Sequence, residues 1–334
     1  MTNTEPRMSI GMPVCNGEKY LAEALDSILA QTHSDFELII SDNASADDTA
    51  RICDAYATRD HRIRYVRNET NLGASRNFNR VFELSSGEYF KWAAYDDVCA
   101  PEYLQRCIEV LDQDPSIAVC HPMTVYIDGQ GNTYDKDYDD CLDFRSPSPH
   151  ERFRDYLLRP AIRWNAVFGV IRSSELRKTH LIGPYPLSDQ VLLGELVLRG
   201  KLYRVPEALF FRRDHPQTAM MAHRSDRAYA IWFDPANENK LVLPRKLKAL
   251  FEYLRATRRV RLSAYEQLCC HWHLTRWGYE HLLRAPLKRH RNRAYALLTS
   301  ADAQKKLMNR ISRILTDISA RHDDPHGSSR LPGR

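Results

Sequence analysis

Asp96 and Asp97 stand side by side shortly after the apolar run Tyr89-Phe90-Lys91-Trp92. Two adjacent carboxylates at the end of a buried strand repel each other and lose hydration, so something positive must offset them. A hard divalent cation, Mg²⁺ or Mn²⁺, does this with oxygen ligands and shares its remaining positions with phosphate oxygens. Such a cation offsets the charge that builds on a departing nucleotide diphosphate. The competing reading of the pair is a helix cap, with Asp97 ahead of a helix that begins near Pro101. A second carboxylate, in Ser188-Asp189-Gln190, precedes an apolar helical stretch. There it can take a proton from a hydroxyl, or it can simply complement the helix dipole behind a Ser188 cap. Arg212-Arg213-Asp214-His215-Pro216 brings two guanidinium groups that suit a diphosphate and an imidazole that suits Mn²⁺. Its bland reading is a surface histidine ahead of a proline. Trp164-Asn165 offers an aromatic face to a sugar ring, or a core tryptophan. Gly169 either admits a close backbone approach to a sugar or marks a bulge.

These residues need a frame. Short apolar runs alternate with amphipathic helical stretches over the first 130 residues. Strands are expected at 9–14, 36–40, 63–66 and 89–92, and helices at 18–30, 47–57, 74–84 and 102–111. That rhythm predicts βαβ units and a mainly parallel sheet with helices on both faces. Ligands of such sheets bind at the carboxyl ends of the strands. The polar loops fall there: Pro13-Val14-Cys15-Asn16-Gly17, then Ser41-Asp42-Asn43-Ala44-Ser45-Ala46-Asp47-Asp48-Thr49, then Asn71-Leu72-Gly73-Ala74-Ser75-Arg76-Asn77, then Tyr95-Asp96-Asp97. Further on, 117–127 reads as a strand and 135–149 as an acidic, then Pro- and Ser-rich surface loop. Residues 167–172, 203–205 and 208–212 read as strands, and 190–199 as a helix.

Composition narrows the class. The chain has 334 residues, 43% hydrophobic and 27% charged, with a formal net charge of +5. That balance suits an acidic small ligand and gives no ground for nucleic acid as a partner. The eight cysteines show no metal-finger spacing, which predicts reduced thiols. Residues 1–8 are polar, and no run of about 18 apolar residues occurs, so a cytoplasmic protein is expected. From about residue 241, basic residues mix with aromatics on helical spacing. Arg245, Lys246, Lys248, Arg255, Arg258, Arg259 and Arg261, and later Lys288, Arg289, Arg291 and Arg293, suggest peripheral contact with the inner face of a membrane. A solvated face or a homo-oligomer contact is the alternative.

Residues 9–101 resemble the family 2 glycosyltransferases, which have the GT-A fold. The matching segments are Met12-Pro13-Val14-Cys15-Asn16, Ser27-Ile28-Leu29-Ala30-Gln31-Thr32, Phe36 to Ser45, Asn71 to Asn77, Gly87-Glu88-Tyr89, and Tyr95-Asp96-Asp97 with Pro101. The likeness is close to about residue 130 and thinner to about 216. It implies a nucleotide-sugar donor, usually a UDP-sugar, a divalent Mn²⁺ or Mg²⁺, and inversion at the anomeric centre. By the same resemblance Pro13, Val14, Cys15 and Asn16 line the base and ribose, and Asp42 meets the uracil edge. Asn71, Arg76 and Tyr95 complete the donor side. Asp96 is the preferred metal ligand, followed by Asp97, with His215 closing the set, and Asp189 is the general base. Many family members carry another acidic residue where Ala94 stands here.

The expected layout is a GT-A domain over 1–230, with the nucleotide-sugar side at about 8–130 and the acceptor side at about 131–230. A helical region over 231–321 and a disordered tail over 322–334 follow. The acceptor is a glycan, a lipid-linked sugar or a small molecule. Two other readings stand beside transfer. One is a nucleotidyltransferase, which usually opens with a Gly-rich basic loop unlike Val14-Cys15-Asn16-Gly17-Glu18-Lys19. The other is a non-catalytic sugar-binding protein on the same fold.

Overall fold

The computed structural model describes residues 5–134, 142–159, 165–216, 218, 225–285 and 305. The chain divides into two compact units, 1–278 and 279–334. In the second, the described residues include a six-residue π-helical turn, Tyr279–Arg284, closed by an Arg284–Glu280 ion pair.

In the first unit the expected rhythm is present. It runs β1 (Met8–Val14), α1 (Leu21–Leu29), β2 (Phe36–Asp42), α2 (Thr49–Arg59), β3 (Ile63–Arg67), α3 (Ala74–Glu83) and β4 (Tyr89–Trp92). Then come β5 (Val98–Cys99), α4 (Tyr103–Gln113), β6 (Ile117–Ile127), α5 (Pro149–Leu158), β7 (Val170–Arg172), α6 (Ser173–Leu176), α7 (Ser188–Arg199) and β8 (Lys201–Arg213). Three helices follow: α8 (Asp226–Phe233), α9 (Arg245–Arg259) and α10 (Ala264–Gly278).

The strands form one sheet in the order β3-β2-β1-β4-β7-β6-β8-β5. Neighbours are parallel from β3 to β4 and between β6 and β8, and antiparallel at β4-β7, β7-β6 and β8-β5. The sheet is therefore mixed, with a parallel half that carries the first four loops. Two apolar cores cover its faces. Met8, Ile10, Met12 and Val14 of β1 face α1 and α4, while Phe90 and Trp92 of β4 join the core that holds α3, α5 and α7. Alternation along a strand sends successive side chains to opposite faces, which is why Tyr89 of β4 lies in the first core while Phe90 lies in the second.

Three features depart from the sequence reading. Residues 203–205 and 208–212 are one strand, β8, that runs through Pro206. The β6 partner has Pro122 at the matching place, and the register shifts there. A proline cannot donate to the ladder, and a bulge accommodates it. Residues 165–168 form a 3-10 turn ahead of β7 rather than part of a strand. Gly169 follows it, and a Cβ there would lie 2.8 Å from the Cys120 carbonyl of β6. Close packing on the sheet accounts for this glycine. Of the 135–149 loop, 135–141 lies outside the described residues, while Leu142 and Phe144 are buried and Phe144 pairs with Leu202 of β8.

The helices beyond residue 230 pack into the same unit. Tyr253 of α9 and Leu274 of α10 lie in the core beside α5 and α7. Glu195 of α7, buried, pairs with Arg199 at 2.7 Å and with Arg259 of α9. The compact unit continues to Gly278. Residues after 285, except Lys305, lie outside the described part, and with them the expected tail and Lys288, Arg289, Arg291 and Arg293.

Candidate active site

The loops after β1 and β2 are clamped to each other. Asn16 N donates to Ser45 Oγ at 2.9 Å, and Ala46 N donates to Asn16 Oδ1 at 2.9 Å. Glu18 N donates to Asp47 Oδ2 at 3.0 Å, and Asp48 N returns a bond to Glu18 Oε2 at 2.9 Å. The first amide of α2, Thr49 N, has no partner within the helix and donates to Asp47 Oδ1 at 3.1 Å. Asn16 and Ala44 adopt left-handed backbone, φ 53° and 60°. Pro13 and Val14 are buried in β1, and Cys15 is half-buried with Sγ 3.7 Å from Asn43 O.

Asp42 ends β2 and is 0% exposed. Its carboxylate accepts Ser45 N at 2.9 Å and Tyr65 OH at 3.0 Å, and lies 3.4 Å from Arg67 Nε. The expectation for Asp42 was the edge of a bound base; here the carboxylate is engaged within the β2–β3 edge. Asn71 is engaged likewise. Its Oδ1 accepts Asn43 Nδ2 and Gly73 N, both at 2.8 Å.

These bonds belong to an amide network that sequence reasoning did not find. Asn43 Oδ1 accepts Leu72 N at 2.8 Å and Asn68 Nδ2 at 3.1 Å. Asn77 Oδ1 accepts Asn68 Nδ2 at 3.0 Å and Ser41 Oγ at 2.7 Å, and Asn77 Nδ2 donates to Ser41 O at 2.9 Å. Buried amides survive only when bonded. The network fixes the β3–α3 loop to the end of β2. The available signal was the density of asparagines at 68, 71 and 77 in the stretch after the third apolar run.

Asp96 and Asp97 follow β4. Helix α4 starts later, at Tyr103 with Glu102 as its N-cap, so Asp97 does not cap it. Strand β5 intervenes and pairs with β8, Val98 opposite Phe211. That pairing carries the aspartates to the end of β8. Asp97 Oδ1 accepts Arg213 N at 2.9 Å, and Arg213 Nε donates to Asp96 O at 2.9 Å. His215 Nε2 lies 2.9 Å from Asp96 Oδ2. The His215 ring stands 4.9 Å from Tyr20, whose other contacts include the Arg213 guanidinium at 4.7 Å.

The two carboxylates have different surroundings. Burial, and then the Asp96 charge, push the Asp97 pKa up; Arg212, the Arg213 amide and Lys91 pull it back. Lys91 is 1% exposed, an ammonium inside the sheet. It donates to Trp92 O at 3.2 Å and lies 4.6 Å from the Tyr103 ring centre. A buried cation needs a counter-charge, and Asp97 is within its field. A lysine inside the apolar run Tyr-Phe-Lys-Trp was the sequence signal for it.

A cation would find two donors in Asp96 and His215. Ligands that are neighbours around an octahedral ion at ~2.1 Å stand about 3.0 Å apart, and these two atoms stand 2.9 Å apart. His215 Nδ1 is buried and has no hydrogen-bond partner among the described residues. An oxygen and an imidazole suit Mn²⁺. Asp97, the third expected ligand, also accepts the Arg213 amide of β8 through Oδ1. Among the described residues, no three His, Cys, Asp or Glu side chains gather at metal-holding distance. The pair therefore fits a cation that takes its other ligands from phosphate and water.

Asp189 sits in the first turn of α7. The N-cap is Leu187, with left-handed backbone at φ 71°, and Ser188 Oγ makes no cap bond. Loss of hydration raises the Asp189 pKa, and Arg212 opposes the rise. Arg212 thus acts on both Asp97 and Asp189. It is held by Asn165 Oδ1, and Asn165 Nδ2 donates to Tyr126 OH at 2.9 Å. Asn165 is buried and orients Arg212; it offers no exposed platform. Trp164 lies outside the described residues.

Arg76 is exposed on α3 and stands apart from this group. It borders a cleft of about 790 Å³ with Asn79, Ile182, Leu241 and Lys248, and neither Asp42, Asp96 nor His215 lines that cleft. Tyr95 packs over Gly17, where a Cβ would lie 2.9 Å from the ring.

Residues 9–174 match the family model for glycosyl transferase family 2. The chain belongs to that family. Among relatives of this family 2 chain, glycosyltransferase GlyG of Streptococcus pneumoniae is 29% identical over 127 residues, 38% of this chain and 42% of its own length. The putative glycosyltransferase EpsE of Bacillus subtilis is 34% identical over 112 residues, 33% of this chain and 40% of its own. The matches thus span about two fifths of these relatives. Two solved structures share the fold. S. aureus TarS 1-349 in complex with UDP has a TM-score of 0.57 at 17% identity, covering 91% of this chain and 78% of that one. The mannosyltransferase PcManGT of Pyrobaculum calidifontis, in complex with GDP-Man and Mn²⁺, has a TM-score of 0.54 at 15% identity, covering 94% and 81%. The GT-A architecture expected from the sequence is what the sheet and its neighbours give.

Proposed function

We propose that this family 2 chain transfers a sugar from a nucleoside diphosphate donor, a UDP-sugar, to an acceptor hydroxyl with inversion. The observation that carries the reading is the Asp96–His215 contact at the carboxyl end of β4, beside the loops of β1 and β2. TarS has been solved with UDP and UDP-GlcNAc, and PcManGT with GDP-Man and Mn²⁺, which supports a nucleotide-sugar and a divalent cation here. Asp96 and His215 hold the cation, Mn²⁺ or Mg²⁺. When bound, it offsets the charge of the leaving diphosphate.

The chain's own residues do the rest. Pro13, Val14, Cys15 and Asn16 form the wall for base and ribose, shaped by the clamp between the β1 and β2 loops. Asp42, Asn71 and the amide network hold that wall in place. Asp189 takes the acceptor proton while the acceptor oxygen bonds to the anomeric carbon. The bond from that carbon to the diphosphate oxygen breaks, and the diphosphate leaves with the electron pair. A carboxylate with a raised pKa is a stronger base, and Arg212 keeps it ionised. The acceptor is a glycan, a lipid-linked sugar or a small hydroxyl compound, reached on the cytoplasmic side.

A donor screen tests the reading. UDP- and GDP-sugars are incubated with the chain and Mn²⁺, and nucleoside diphosphate release is measured. Release from one donor, lost in Asp96→Ala, is expected. No release from any donor, with no binding of UDP or GDP, would remove the assignment.

A further inference from the structure

Helix α10 buries one side and leaves another bare. Cys270 and Leu274 are in the core, while Tyr265, Leu268 and Trp272 are 67%, 70% and 68% exposed. They recur at helical spacing, so they share one face. Arg276 continues that face one turn beyond Trp272 and is exposed, as is Arg261 in the turn that leads into the helix. Neither arginine has an ion-pair partner among the described residues. Four of the basic residues of α9 differ. Arg245 pairs with Asp226, Lys248 and Arg255 with Glu252, and Arg259 with Glu195.

We propose that the Tyr265–Leu268–Trp272 face of α10, with Arg261 and Arg276, docks on an anionic lipid bilayer. Exposed tryptophan and tyrosine with a leucine bury well at the headgroup boundary, and unpaired arginines meet lipid phosphates. Charge selects this occupant over two others. A second copy in a two-fold contact would set the same arginines against each other. The chain's own residues 279–334 carry 12 Lys and Arg against 5 Asp and Glu, a net charge of the same sign as the two arginines that suits the same anionic bilayer. The inference does not depend on the reaction proposed above.

Vesicle flotation of the full chain tests it, with phosphatidylcholine alone and phosphatidylcholine mixed with phosphatidylglycerol. Binding to the mixed vesicles is expected, at least ~tenfold above phosphatidylcholine alone and weakened by salt. Leu268→Ser with Trp272→Ser, and separately Arg261→Glu with Arg276→Glu, should each lower it by about tenfold or more, with unchanged circular dichroism. Absence of binding overturns the proposal. So does binding that neither pair of substitutions weakens, or a wild-type dimer in sedimentation equilibrium that the same substitutions dissolve.

Discussion

His215 Nε2 lies 2.9 Å from Asp96 Oδ2, although the two residues are 119 positions apart in the chain. Two short structural facts produce this contact. Strand β5 pairs with β8 directly after the aspartates, and Asp97 accepts the Arg213 amide. The end of β8 is thereby fixed against the end of β4, and the imidazole that follows β8 has little choice of position.

Asp189→Asn should lower kcat by ~10² to 10⁴-fold, the usual range for loss of a general base. Donor binding should stay within about twofold, since Asp189 belongs to α7 and not to the β1 and β2 loops. Steady-state kinetics with calorimetric titration of UDP separates the two. Equal kcat for variant and wild type would place the base elsewhere.

The pH profile carries the sign of the Asp189 shift. A base must be ionised, so kcat rises with pH through its pKa, and burial sets that limb above the ordinary aspartate value. Arg212 holds the limb down. Arg212→Met should therefore move the acidic limb to higher pH, and a limb that moves lower or stays fixed speaks against an Arg212–Asp189 coupling.

Asn77→Ala removes one of the two acceptors of Asn68 Nδ2, the acceptor of Ser41 Oγ and a donor to Ser41 O, all in a buried place. Unsatisfied buried groups cost about 1–3 kcal/mol each, so a loss of about 2–4 kcal/mol is expected in denaturant unfolding. A loss below about 0.5 kcal/mol would mean that the amides are not acting as a network.

Gly73→Ala should also destabilise. The residue has φ +81°, and a Cβ would lie 2.7 Å from the Phe233 carbonyl. Strained backbone and overpacking together suggest about 2–4 kcal/mol. Thermal unfolding reads it, and a Tm equal to wild type would contradict the packing of α8 against this loop.

The first half of the fold was legible because it obeys local rules. β4 and β6 begin and end where their apolar runs do, at Tyr89–Trp92 and Ile117–Ile127. Strand β5 was not legible, since two residues carry no period. Pro206 split β8 in the reading, because the bulge that tolerates it depends on Pro122 of another strand. In the site, the residue types were visible but their partners were not. Asp96 and His215 were read as a shared set by resemblance, yet Asp97 pointing to the Arg213 amide is a product of the β5–β8 pairing. Asp42 and Asn71 were assigned to a ligand, and their bonds to Ser45, Tyr65 and Asn43 appear only when three loops meet. Asn165 reads in the sequence as part of a sugar-binding pair with Trp164, and its burial follows from the Tyr126–Asn165–Arg212 chain.

The central claim is that Asp96 and His215 together hold the cation that binds the donor diphosphate. Calorimetric titration of UDP in the presence of Mn²⁺, on wild type, Asp96→Asn and His215→Gln, tests it most directly. UDP should bind wild type only with the metal present, and each substitution should weaken that binding at least ~tenfold, in keeping with the loss of a metal ligand or its support. Metal-dependent UDP binding of wild-type strength in both variants would contradict the account.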